Sequence, residues 1–134
     1  MIVRYVKITM TLAVAAFALL VAYNNISDYG SNFAFVQHVL SMDSVFPGNS
    51  ATDRALTLPL LWNAGYWLII AGEALTGALL VFGALHLWLA RHGVASDFNR
   101  AKRWAIAGFC LGFCVWFFGF MVVGGEWFMM WQSK

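Results

Sequence analysis

Three apolar stretches limit what this chain can fold into: Ile8 to Tyr23, about Leu60 to Ala90, and Trp104 to Met130. A helix needs about 20 apolar residues to cross a hydrocarbon core of ~30 Å, and each stretch approaches or exceeds that length. Charged residues make up 10% of the 134, against roughly 25% in a soluble domain. A chain so poor in charge cannot clothe a soluble surface. The length allows one domain. The expected fold is an all-α membrane protein: a single domain over 1–134, built as a bundle of three transmembrane helices with a short helix on the outer face.

The first stretch follows Arg4 and Lys7 and crosses over about 6–24 if Tyr5 and Tyr23 mark its two interfaces. A secretory signal would also begin basic and continue apolar, but no small-x-small cleavage site precedes the polar pair Asn24-Asn25. The second stretch is too long for one simple crossing and too short for two. Trp67 and Trp88 stand 21 residues apart, about 31 Å of helix, which suits an aromatic belt at each interface. The span is therefore placed over about 64–90, with the preceding turns projecting from the membrane or lying along it. Pro59 suits a first helical turn and Thr57 lies near the N-cap. In the third, Trp104 and Trp127 form a similar pair, giving a span over about 104–128.

Basic residues orient the bundle. Arg4, Lys7, Arg91, Arg100, Lys102 and Arg103 fall on one side of a three-span arrangement; Arg54 and Lys134 fall on the other. The positive-inside rule places the first side, with the N-terminus and the loop 91–103, in the cytoplasm. The connection 25–58 then faces outward. Connections of this length are uncommon and often functional. Within it, Asn32 to Met42 reads as a short helix with Phe33, Val36 and Leu40 apolar, lying on the membrane surface or capping the bundle. Pro47-Gly48-Asn49-Ser50 is turn chemistry.

Two acids are unusual. Glu73 lies six residues inside Trp67, about 9 Å below the outer interface, and ionisable groups at such depth are functional candidates. A hydrogen-bonded Glu gluing helices together is the structural alternative. Trp62, Tyr66, Gly77 and Ala84 share its helix face. Glu126 sits beside Trp127 at the outer end of the third span. At 100° per residue, Gly108, Gly112, Gly119 and Glu126 fall within about 40° of one another, so the three glycines are expected to form a helix-packing stripe. Packing within the chain and dimerisation both fit this stripe. His38 and Asp43, in the outer connection, complete the candidate polar residues. A divalent cation held by His38, Asp43, Glu73 and Glu126 would need the connection to fold back over the helices, and their spacing matches no known metal pattern. No metal, cofactor or catalytic residue is therefore assigned. His86 has no second histidine at its depth to share a haem and is expected to cap the cytoplasmic end of its helix. Cys110 and Cys114, four residues apart on a helix, are poorly placed to bridge and read as small packing residues. There is no Gly-rich phosphate loop, Ser-His-Asp set or CxxC. A net charge of +2 gives no reason to expect nucleic acid.

The runs Asn24-Asn25-Ile26-Ser27-Asp28-Tyr29, Phe35-Val36-Gln37-His38-Val39-Leu40-Ser41-Met42-Asp43 and Gly124-Gly125-Glu126-Trp127-Phe128-Met129-Met130-Trp131-Gln132-Ser133 resemble the bacterial family of predicted small integral membrane proteins whose domain has no assigned function. The likeness covers nearly the whole chain. It implies a multi-pass protein of the bacterial inner membrane and supplies no catalytic residues. Members of the family tend to continue into a further hydrophobic segment, so the resemblance implies either a shorter member or a fourth transmembrane helix after Lys134.

The functional expectation is a non-enzymatic accessory or interaction subunit, working with a membrane-protein partner or by self-association in the lipid bilayer. A proton- or cation-coupled transporter or channel component using Glu73 is the alternative. A membrane-embedded enzyme with an outer-face polar site is the third reading.

Overall fold

The computed structural model describes residues 1–133. These form helices joined by turns, with no strand among the described residues. In chain order they are α1 (Ile2–Ser27), α2 (Tyr29–Ser41), α3 (Pro59–Leu89), α4 (Ala95–Ala101) and α5 (Arg103–Phe113). The last continues without a break as a wider helix, Cys114–Trp127, with π-type pitch. Among the described residues, three helical runs are long and apolar enough to cross a membrane: Ile2–Ser27, Pro59–Leu89 and Ala95–Trp127. Large apolar side chains such as Leu68, Leu89 and Ile106 point outward from them, as a lipid environment requires.

The spacing of small and apolar residues explains how the spans pack. The buried residues of α1 are Ile8, Thr11, Ala15, Ala18 and Ala22, with alternating intervals of three and four. The facing row on α3, Tyr66, Ile70, Glu73, Gly77, Leu80, Ala84 and Leu87, keeps the same alternation. Two such rows mesh in the left-handed packing of membrane bundles, with crossing angles near +20°. Gly77 is needed there, because a Cβ would come within 2.6 Å of two side-chain carbons of Leu19.

A second seam runs along the other side of α3. A Cβ on Gly83 would meet the Ala105 backbone, one on Gly108 would meet Leu80, one on Gly112 would meet Thr76, and one on Gly72 would meet Val115. The helices are antiparallel, so these pairs step down α3 as they step up the third span. The seam ends at Val115, just after the pitch changes. From Cys114 onward the backbone no longer follows 3.6 residues per turn; the Phe128 N–H, for example, donates to the Val123 carbonyl five residues back (3.0 Å). Heptad meshing cannot continue across such a change of register.

Several boundaries differ from the sequence reading. α1 extends past the expected end at residue 24, because Asn25 finds a polar partner inside the bundle. α2 begins three residues before Asn32, separated from α1 only by Asp28. Asn32 helps to close that break: its Nδ2 donates to the Asn24 carbonyl (3.3 Å) and the Asp28 carbonyl (2.9 Å), carbonyls exposed where α1 ends. α2 ends at Met42, which takes a left-handed conformation (φ 54°). Pro59 stands in the first turn of α3, but Leu58, not Thr57, is the N-cap and no side chain caps it. The residue before proline favours extended backbone, and Leu58 adopts it (φ −82°, ψ 118°). The loop expected over 91–103 contains α4, anchored by the buried Phe98.

The connection between α1 and α3 is packed rather than free. Val39, Met42, Ala51 and Phe128 form a small core with Leu56 and Met130 against it. The Leu56 N–H donates to the Leu40 carbonyl (2.7 Å), and Trp62 Nε1 donates to the Leu56 carbonyl (2.7 Å). Gln132 Oε1 accepts from the Phe46 N–H (3.1 Å) and Asn49 Nδ2 (2.9 Å). The end of the chain and the 43–58 loop are thus tied together above α3.

Candidate functional site

Glu73 lies in the α1–α3 seam and is 1% exposed. Its Oε1 accepts a hydrogen bond from Asn25 Nδ2 at 2.7 Å. Its Oε2 is buried with no partner among the described residues. The Asn25 backbone carbonyl accepts from the Tyr66 hydroxyl at 2.5 Å. Tyr66 is held in turn by edge-on contacts with Tyr29 and Phe33 of α2 (4.7 and 5.7 Å between ring centres). One polar chain therefore links α1, α3 and the start of α2. Polar contacts of this kind hold membrane helices together, and the unpaired Oε2 leaves one oxygen able to exchange a proton or accept a donor.

The helix wheel places Trp62, Tyr66, Gly77 and Ala84 with Glu73; Tyr66, Gly77 and Ala84 are buried as Glu73 is, whereas Trp62 is only half-buried. It does not identify Asn25, whose position at the polar end of an apolar run reads as a helix terminus. An amide one residue beyond the expected span end, facing an acid in the next span, was the available signal.

The other candidate polar residues lie apart from this chain. His38 Nδ1 and Asp43 Oδ2 pair at 2.8 Å on the surface at the end of α2, each about half exposed. Glu126 is exposed at the end of the π segment. No group of three or more His, Cys, Asp or Glu among the described residues could hold a metal ion. Of the glycine stripe, Gly108 and Gly112 face α3 within the chain, whereas Gly119 is exposed, and a Cβ on it would meet only its own helix's Cys114 carbonyl at 3.6 Å. The reason is again the pitch: the 100° step used to align Gly119 and Glu126 with Gly108 fails beyond Cys114. Cys110 and Cys114 are free and exposed rather than packed between helices, and Cys114 borders the groove between α3 and the π segment. His86 does not cap its helix end: Nδ1 lies 2.9 Å from the Phe82 carbonyl one turn earlier, and its ring rests against Phe82 and Trp104.

Where the second seam ends, α3 and the π segment part. An apolar groove of about 390 Å³ opens between them, roofed by Val36 and Leu40 of α2 and bordered by Leu68, Val115, Phe118 and Val123. Gly65, Gly72, Gly119 and Gly124 also line it. The third span is correspondingly the least enclosed. In its most apolar window 6% is buried, against 28% and 39% for the other two.

A family model described as "Predicted small integral membrane protein (DUF2165)" matches residues 3–134. The chain belongs to that family, a membership that carries no assigned role. No curated protein and no solved structure matches the chain.

Proposed function

We propose that this small integral membrane protein is a non-enzymatic interaction subunit, whose groove between α3 and the π segment receives an apolar transmembrane helix of a membrane-protein partner. The observation that carries this reading is the third span: a long apolar helix of whose membrane-length window only 6% is fully buried, beside an apolar groove lined by glycines. Small residues allow close helix approach, and in lipid that approach is what drives association. The reading includes a bacterial inner-membrane location with the basic end cytoplasmic, supported by the six Lys and Arg residues gathered there. The groove and outer cap then lie toward the opposite face.

Native mass measurement of the protein extracted in mild detergent tests the proposal. The expected result is a stoichiometric partner chain that is lost in Gly119→Leu, a change that fills the groove from an open position. A protein that is monomeric in native membranes, or a complex indifferent to Gly119→Leu, would overturn it. Association only with a second copy of this chain would replace the partner with self-association.

The unpartnered Glu73 Oε2 favours a second reading, in which Glu73 is the proton or cation site of a transporter or channel component. Three helices enclose little space, so this role requires oligomerisation. Proteoliposome flux abolished in Glu73→Gln is its expected signature; equal flux in that variant, or none in the parent, counts against it.

A further inference from the structure

The end of the molecule opposite the groove holds a charge arrangement to which neither reading above gives a ligand. Arg4 and Lys7 stand one turn apart on α1, and Lys102, at the junction of α4 and α5, borders the same pocket as both. Arg4 lies 4.7 Å over the Phe98 ring and Lys102 5.7 Å from it. Buried Phe98 thus holds two of the cations in place. Arg4 Nη1 donates to the Arg91 and Gly93 carbonyls (2.9 and 2.6 Å), which pins α1 to the turn after α3. Lys102 donates to the neutral Asn99 Oδ1 (2.9 Å). No carboxylate pairs with Arg4, Lys7 or Lys102 among the described residues; the one acid at this end, Asp97, lies 3.7 Å from Arg100. Three cations are therefore gathered around one pocket of about 230 Å³ with no anion to balance them.

A second groove, of about 260 Å³, lies directly beneath. Met10 and Thr11 of α1, Leu87 of α3, and Ala105, Ile106 and Phe109 of α5 line it. Lys7 and Lys102 border both spaces. A cationic pocket thus sits on top of an apolar channel that runs along the membrane-facing flank, where Met10 and Ile106 are each 62% exposed. A free phosphate would use only the upper half. An anionic phospholipid matches both: its phosphate between Lys7 and Lys102, its acyl chain along Met10, Leu87 and Ile106. Basic pockets between membrane helices bind such headgroups, and lysine stems lying along apolar surface bring their charges to the headgroup level.

We propose that Lys7, Lys102 and Arg4, with the groove beneath them, form a specific site for one anionic phospholipid. The site lies away from the partner groove and does not depend on it.

The test is native mass spectrometry of the detergent-solubilised full chain, titrated with phosphatidylglycerol or phosphatidylcholine. One phosphatidylglycerol per chain is expected to be retained in preference to phosphatidylcholine. Removing each ammonium should weaken binding about fivefold, and Lys7→Gln with Lys102→Gln about 25-fold. Arg103→Gln removes a neighbouring charge that borders a different pocket and should leave binding unchanged. Met10→Trp, at an exposed position, should obstruct the acyl channel and weaken phospholipid binding while circular dichroism reports the same helix content. Equal retention of both lipids, unaltered binding in the double lysine variant, or equal losses in Arg103→Gln would overturn the proposal. Full displacement by millimolar inorganic phosphate, with Met10→Trp without effect, would show a phosphate site with no lipid chain and would likewise overturn it.

Discussion

Gly83 marks the closest backbone approach between α3 and α5, and replacing it with alanine tests whether the second seam is built as described. A Cβ at that position would lie 2.5 Å from the Ala105 nitrogen and 2.7 Å from its Cα. These are main-chain atoms, so no rotamer change relieves the collision; one helix must retreat by roughly 1 Å to restore ordinary separation. Within a helix, Gly→Ala normally stabilises by roughly 0.5–1 kcal/mol. Overpacking a close contact costs roughly 1–3 kcal/mol. The cost wins because it falls on backbone, and the expected net loss is about 1–2 kcal/mol. The assay is denaturant or thermal unfolding of the purified protein in detergent, read by helix content. Adding Ala105→Gly removes only the third contact, the Ala105 Cβ at 3.0 Å, so it should restore little. Gly119→Ala is the comparison, since a Cβ there meets no neighbouring helix, and no loss is expected. A Gly83→Ala protein as stable as the parent would refute the close approach. A loss in Gly119→Ala equal to that in Gly83→Ala would mean the seam continues past Val115 and the groove is not open.

Three further outcomes follow from single contacts. Asn25→Leu strips Glu73 Oε1 of its donor and should destabilise the bundle by about 1–3 kcal/mol, whereas Glu73→Leu removes acceptor and buried polar atom together and should cost less; unfolding of the two variants in detergent decides the order. Gln132→Ala breaks both bonds to Phe46 and Asn49, so amide exchange over residues 44–51 should accelerate while that of α3 stays unchanged. Exposed Cys110 should alkylate with a lipid-soluble maleimide in intact membranes, whereas Cys114, which lines the partner groove, should react more slowly there, and the two should form no intrachain bridge under mild oxidation, as peptide mass mapping would report.

Much of this arrangement is legible in the residues, and the parts that are not share a cause. Long apolar runs require spans, and Pro59 suits a first helical turn. Gly108 and Gly112 are small residues four apart in an apolar helix, and they face α3 as such spacing allows. Asn24 and Asn25 read as a stop because polar residues at the end of an apolar run normally meet water. The helix continues because the Asn25 amide meets Glu73, 48 residues away in sequence, a pairing local pattern cannot express. His86 reads as a cap for the same reason: position within the helix does not reveal that the Phe82 carbonyl and the Trp104 ring await it. Gly119 and Glu126 depart from their expected face because every wheel assumes 3.6 residues per turn, and Cys114–Trp127 does not keep it.

The change of pitch and the placement of polar groups belong to one design. Between Gly83 and Gly72, α3 is enclosed on both sides, by the alanine row of α1 and by the seam with α5. Continuing that seam outward would require the third span to keep its heptad register past Val115. The wider helix ends the register there, and α3 is left open on that flank above Gly72. The opposite flank at this level remains closed because Asn25, Glu73 and Tyr66 clamp α1 to α3, while Tyr29 and Phe33 of α2 brace Tyr66. A bundle whose outer half was loose on both sides would have only lipid to hold α3 in place. The buried acid is thus located where the glycine seam gives out, so the clamp holds the bundle closed on one flank and lets the groove remain open on the other. On this account, weakening the clamp through Asn25→Leu should also loosen the groove, and amide exchange over residues 65–72 should rise together with that of the outer end of α1.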